Sequence, residues 1–199
     1  MPDYSEEKAF IAQGYKIVCG TDEAGRGPLA GPVYAAAVIL RTDEIIEGLD
    51  DSKKLTAKKR EQLYDIIKER ALSYAVARAE VEEIDSINIL NASQLAMRRA
   101  INLLDLPPDS VLVDGNVARG FTLPVKTVIK GDSKSMSIAA ASILAKVERD
   151  RYCLEMDRLY PEYHFAGHKG YATKEHMDIL RRIGPCPEHR RTFLGFLQK

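Results

Sequence analysis

Apolar and polar positions change period several times along the chain, and each change predicts an element. Residues 1–13 are a polar lead-in with room for about one helical turn. From Tyr15 the run "YKIVCGTDE" alternates and is rich in strand formers, which predicts a strand over about 15–21. "GRGPLAGP" follows, and its three glycines and two prolines are turn chemistry. "VYAAAVIL" reads as a second strand, returning antiparallel. "DDSKKLTAKKREQLYDIIKER" then takes a helical period. Thr56 is placed to cap it, and Leu63, Tyr64, Ile66 and Ile67 form an apolar stripe among lysines and arginines. "SYAVARAEV" alternates as a third strand. A helix over about 88–104 follows, with Leu90, Met97, Ile101 and Leu104 inward and Pro107 and Pro108 beyond its end.

"SVLVDGN" predicts a short buried strand ending at Asp114, and "PVKTVIKGD" another ending near Asp132. "SKSMSIAAASILAKVERDRYCLEMDRLY" is a long helix stopped by Pro161, with small residues at 139–142 that permit close packing. A glycine-rich loop, a short helix and the tail "PCPEHRRTFLGFLQK" complete the chain. The order β-β-α-β-α-β-β-α, with a helical C-terminus, predicts an α/β fold with helices against a mixed sheet. There is no internal repeat, and 199 residues suit a single domain, with a core over about 14–160 and a helical segment over about 161–199.

Composition narrows the class. Apolar residues make up 45% of the chain, enough for a core, but no run approaches the ~20 residues that span a bilayer. The mixed-charge N-terminus is unlike a signal peptide, so a cytoplasmic protein with no membrane contact is expected. Cys19, Cys153 and Cys186 are odd in number and form no CxxC pair, which predicts buried, reduced thiols. Net charge is zero, which argues against a nonspecific polycation. The charge is uneven, however. Residues 52–70 carry seven Lys/Arg against three Asp/Glu, and residues 118–199 fifteen against nine. Such stretches are either solvated helix faces or a phosphate-binding surface that leaves carboxylates elsewhere for a metal.

The acids fall at strand ends: Asp22 and Glu23 after the first strand, Asp114 after the fourth, Asp132 after the fifth. Strand-end loops are where α/β sheets place their chemistry. If those three strands are neighbours, the four acids converge, and carboxylates so close must protonate or bind a cation. Oxygen donors without a His or Cys cluster point to Mg²⁺ or Mn²⁺. A pair of such ions suits phosphoryl chemistry. The plain alternative is four exposed turn acids. A rival reading takes Gly25, Gly27 and Ala30 as a relaxed GxGxxG/A dinucleotide fingerprint. That fingerprint requires a helix directly after Ala30, where Pro28, Gly31 and Pro32 interrupt one.

Taken in order, "GTDEAGRGPLAGPV", "DSKKL", "VLVDGN", "KGDSKSMSIAAASILAKVERD", "GHKGYATKEH" and "GPCPEHRR" closely resemble the bacterial ribonuclease HII family, over about residues 16–192. The resemblance implies a ribonuclease H-like fold: a central mixed five-stranded sheet flanked by helices, with a helical C-terminal extension. It implies a monomeric endoribonuclease that hydrolyses the RNA strand of RNA/DNA hybrids. It also implies cutting 5′ of a single ribonucleotide embedded in duplex DNA, leaving 3′-hydroxyl and 5′-phosphate ends. By motif, Asp22, Glu23, Asp114 and Asp132 become ligands of two divalent ions. Gly25, Arg26 and Gly27 become contacts to the ribonucleotide, whose 2′-hydroxyl alone distinguishes it from DNA. Tyr171 becomes the residue that senses an RNA–DNA junction. Ser52, Lys53 and Lys54 become phosphate contacts, with a solvated helix entry as the alternative. Asn88 contacts the DNA strand or caps its helix. Lys146 and Arg149 read as helix-face charges, and His164, His168, His176 and His189 as structural. "TFLGFLQK" matches no block of the family.

Overall fold

The computed structural model describes residues 1–198; Lys199, the last residue of the expected C-terminal segment, lies outside them. The strands are β1 (Val18–Ala24), β2 (Val33–Ile39), β3 (Ser73–Ala79), β4 (Ser110–Asp114) and β5 (Val125–Val128). The helices are α1 (Ser5–Ile11), α2 (Ala57–Arg70), α3 (Val81–Asn102), α4 (Met136–Leu159), α5 (Phe165–His168) and α6 (Lys174–Ile183). The strands form one mixed sheet in the order β3-β2-β1-β4-β5. β1 pairs antiparallel with β2 and parallel with β4, and β4 runs parallel to β5. The strands beside the acids are therefore neighbours, but β1 starts and ends three residues later than expected because its pairing with β2 continues to Ala24, so Asp22 and Glu23 lie within the strand rather than after it. Among the described residues, no helix is long and apolar enough to cross a membrane.

β2 explains the two layers. All seven of its residues are buried. Its period-2 alternation sends Ala36 and Val38 to a core shared with Leu63 and Ile67 of α2 and Leu144 of α4. Ala35, Ala37 and Ile39 face the opposite core, with Met97 and Ile101 of α3. Helix α4 lies unusually close to β1. A Cβ added at Gly20 would sit 2.4 Å from the Ser137 carbonyl carbon, so only glycine lets the helix approach. The run of fully buried alanines at 139–141 continues that close contact.

Several boundaries differ from the sequence expectation, each for a local reason. Helix α3 begins at Val81 rather than 88, because Glu80 and Glu83 form a capping box that ends the third strand at Ala79. A kink divides it at Asn88, which adopts φ 65° and accepts a hydrogen bond from the Asn91 amide at 3.1 Å. Residue 88 is thus the cap of the second half of a longer helix. β5 stops at Val128, and left-handed Lys130 turns the chain into a 3-10 turn (Gly131–Ser133) that carries Asp132. The lead-in forms α1. Its buried Glu7 accepts from the Ser135 hydroxyl at 2.7 Å and the Ser137 amide at 2.9 Å, fastening the start of α4. After the glycine turn the chain enters β2, not a helix, which overturns the dinucleotide reading. The three cysteines are free and buried, as expected.

The C-terminal segment is packed into the molecule. Phe165, Leu180 and Cys186 form a third core with Leu29 and Ala30 of the glycine turn and with Cys153 and Met156 of α4.

Candidate active site

Strand order brings the acids to one end of the sheet. An open cleft of about 490 Å³ is lined there by Asp22, Glu23 and Asp114. The turn Gly25–Gly27 and Tyr171 also line it, as do Ser52, Lys53, Ser142 and Lys146. Asp132 does not line the cleft. It lies beside Asp114 and Asp51, close enough for both carboxylates to act on it. The Gly131 amide donates to Asp114 Oδ1 at 2.6 Å and so ties the turn bearing Asp132 to the end of β4.

Burial and mutual repulsion put these carboxylates under strain. Asp22 is 5% exposed. Burial first, then Glu23 and Asp114, hold its carboxyl well above the usual range, against donation from the Glu23 amide and the Ser142 hydroxyl. Burial also raises Glu23, opposed mainly by Arg26, whose guanidinium is 3.3 Å away. Burial, Asp51 and Asp114 push Asp132 up to about 6. Lys53 answers this field. Burial alone would lower its ammonium, but Asp22, Asp51, Asp132 and Asp114 together outweigh that and raise it.

The other expected residues divide. Lys54 pairs with Asp50 at 3.0 Å and does not line the cleft, and neither does exposed Asn88. Ser52 lines the cleft, but its hydroxyl is buried against the Ser142 hydroxyl at 2.8 Å. Tyr171 stays 45% exposed at the rim, with the Arg149 guanidinium 5.8 Å from its ring centroid. Gly25 has φ 102°, and a Cβ there would fall 2.2 Å from Arg149 Nε, so conformation and space both demand glycine.

Ser142 and Asp51, which are not among the site residues expected from the sequence, stand beside the acids, and Lys146 and Arg149 turn toward the site rather than being ordinary helix-face charges. Ser142, Lys146 and Arg149 are spaced i, i+4, i+7, a polar stripe on an otherwise apolar stretch of helix, and that spacing was the available signal. Arg149 is 2% exposed and donates to the Lys169 carbonyl at 2.9 Å. His168, His176 and His189 are buried and hydrogen-bonded within the C-terminal core, whereas His164 is exposed and pairs with Glu175 at 2.7 Å. His189 and His176 share a hydrogen bond between their Nε2 atoms at 2.9 Å, and His176 Nδ1 meets the Tyr171 carbonyl at 2.9 Å. The Cys186 amide donates to His189 Nδ1, which fixes both rings as neutral tautomers.

The donor set fits hard divalent cations: only carboxylate oxygens, several of them disfavoured as bare anions. Among the described residues, no three His, Cys, Asp or Glu side chains are gathered closely enough to hold an ion as they stand. The site is an open anionic wall rather than a closed cage.

A family model described as Ribonuclease HII matches residues 19–195. A ribonuclease HII of Caldicellulosiruptor saccharolyticus is 55% identical over 188 residues, covering 94% of this chain and 92% of the relative. One from Caulobacter vibrioides is 58% identical over 190 residues, covering 96% and 90%. The crystal structure of ribonuclease H2 from Pyrococcus horikoshii superposes with a TM-score of 0.73 at 28% identity, covering 89% of this chain and 93% of that one.

Proposed function

The chain belongs to the ribonuclease HII family and is a ribonuclease H, a nuclease acting on RNA paired to DNA; from that premise we propose that it cuts 5′ of single ribonucleotides embedded in duplex DNA, using two divalent ions, Mg²⁺ or Mn²⁺. The observation that carries this reading is the adjacency, in one cleft, of strained carboxylates and a glycine turn with Tyr171 at the rim.

Asp22, Glu23, Asp114 and Asp132 are the residues that would hold the ions. When bound, divalent cations supply Lewis-acid stabilisation of the phosphate and lower the pKa of an attacking water. In the hydrolysis the water oxygen bonds to phosphorus and the P–O3′ bond breaks. The departing 3′ oxygen takes up a proton, leaving 3′-hydroxyl and 5′-phosphate ends. Lys53 carries positive charge to the cleft and suits the substrate's phosphates; Lys146 also lines it, its ammonium paired with Asp150 at 2.5 Å. The Ser52–Ser142 hydroxyl pair steadies Asp22 through Ser142. The Gly25–Gly27 backbone reads the 2′-hydroxyl, and the exposed Tyr171 ring packs against the adjoining deoxyribose, selecting a junction rather than a base sequence.

Tyr171→Ala tests the junction reading. On a labelled duplex with one ribonucleotide, kcat/KM should fall at least tenfold, with the thermal midpoint within about 2 °C because the ring is half exposed. An unchanged rate would remove Tyr171 from recognition.

A further inference from the structure

Arg190 is fully buried, and its guanidinium makes all of its hydrogen bonds to one loop. Nε donates to the Gly31 carbonyl at 2.9 Å, Nη1 to those of Arg26 at 3.0 Å and Pro28 at 2.8 Å, and Nη2 to that of Gly25 at 2.6 Å. Among the described residues no carboxylate pairs with it. Burying an unpaired cation is costly, and here the four carbonyl oxygens of the turn offset that cost. Main-chain bonds reinforce the contact. The Arg190 amide donates to Leu29, the Gly31 amide to Glu188, and the Leu29 amide to Gly170, at 2.8–2.9 Å.

The consequence follows from peptide geometry. Every peptide here is trans, so each carbonyl points opposite to the N–H of the next residue. Drawing the Gly25 and Arg26 carbonyls toward Arg190 turns the Arg26 and Gly27 amides the other way. Both residues line the cleft, and among the described residues neither amide has a hydrogen-bond partner. Two successive free amides held in this fashion form a small receptor for an oxygen atom.

We propose that Arg190 is a positioning residue for specificity: from the C-terminal segment it fixes the peptide planes of residues 25–27, so that the Arg26 and Gly27 amides are presented to the ribonucleotide's oxygens. The proposal depends on the reading that this turn meets the ribonucleotide. It gives the tail a role in recognition without contact to substrate. It also explains why arginine is needed. Lysine offers one nitrogen with three donors, which cannot span four carbonyls.

The test compares wild type with Arg190→Lys on a duplex containing one ribonucleotide, in saturating Mg²⁺. The expected result is a KM raised about tenfold, with kcat falling by less. General loosening of the fold would instead lower kcat through the active fraction and leave KM in place. A wild-type protein that leaves the duplex uncut overturns the functional reading and this proposal with it. A wild type that cuts, beside a folded Arg190→Lys with unchanged KM, overturns the proposal alone. Should Arg190→Lys not fold, NMR of the wild type decides. The Arg190 Nη protons should give separate, slowly exchanging signals, and the Arg26 and Gly27 amides should shift with the ribonucleotide duplex but not with its all-DNA counterpart. Averaged Nη signals or unmoved amides overturn it.

Discussion

At the scale of single residues, the site sets charge against burial. Asp22 lies beside Glu23 and Asp114 with little solvent, and its carboxylate form is disfavoured as a result. Asp22→Asn removes a costly charge while preserving shape. In metal-free buffer it should raise the thermal midpoint by about 3 °C, roughly 1 kcal/mol for a chain of this size. With Mg²⁺ present it should reduce cleavage by about 10³-fold, the several kcal/mol expected of a metal ligand. Calorimetry and a cleavage assay on the same preparation check both, and a less stable, active variant contradicts the assignment. These acids were legible in the sequence because each lies at or just beyond a strand-forming run, although Asp22 and Glu23 fall inside β1 and Asp132 in the turn after β5. Their partners were not. Arg190 is 165 positions from Gly25, and Ser52 is 90 from Ser142, so nothing local links them. Only the packing of α4 and the tail onto the turn brings such pairs together.

At the scale of elements, α4 sets the site's dimensions. It meets β1 at Gly20, and its polar stripe then places Ser142 against Asp22 and Arg149 against the turn at Gly25. Gly20→Ala inserts a methyl where the Ser137 backbone already sits. Overpacking of this kind costs about 1–3 kcal/mol, or about 5 °C in the thermal midpoint. A shift under 1 °C, read by differential scanning calorimetry, would show that the contact is soft. The strands and α2 could be read from periodicity, and Thr56 caps α2 as its sequence suggested. The start of α3 could not, because Glu80 and Glu83 cap it through a reciprocal pair that the alternation of "SYAVARAEV" conceals. Asn88 carries the cap of the helix's second half at a strained positive φ, a conformation sequence pattern does not show.

At the scale of the molecule, the C-terminal segment completes the cleft rather than trailing from it. Its neutral histidines hold the Tyr171 carbonyl while Arg190 holds the opposite turn. Burial, with a smaller contribution from His176, depresses His189 to about 4, below the ordinary 6.5; His176 is lowered too. Unfolded chains take up these protons more readily, so the stability is fully present above pH 6.5 and is lost as pH falls toward 4. The raised carboxyls of Asp22, Glu23 and Asp132 act in the opposite sense, gaining stability as pH falls, so the histidine contribution is read as a difference: the gap in thermal midpoint between wild type and His189→Gln should move against the wild type as pH falls from 6.5 toward 4. A gap that stays constant with pH would move the effect elsewhere. The strands and the acids beside them were legible because strand periodicity and strand-end chemistry are local, whereas the order that makes β1, β4 and β5 neighbours is set by tertiary pairing and stayed a condition. The hold of Arg190 on the turn was not legible, since all four of its side-chain bonds go to backbone carbonyls, which leave no mark on residue type.

Mapping the ends produced from a duplex with one central ribonucleotide, in Mg²⁺ and then in EDTA, tests the central claim most directly. One cut is expected, with a 3′-hydroxyl on the upstream DNA fragment and a 5′-phosphate on the ribonucleotide that begins the downstream one, and none in EDTA. A cut 3′ of the ribonucleotide, a 2′,3′-cyclic phosphate end, or unchanged cleavage in EDTA would contradict it.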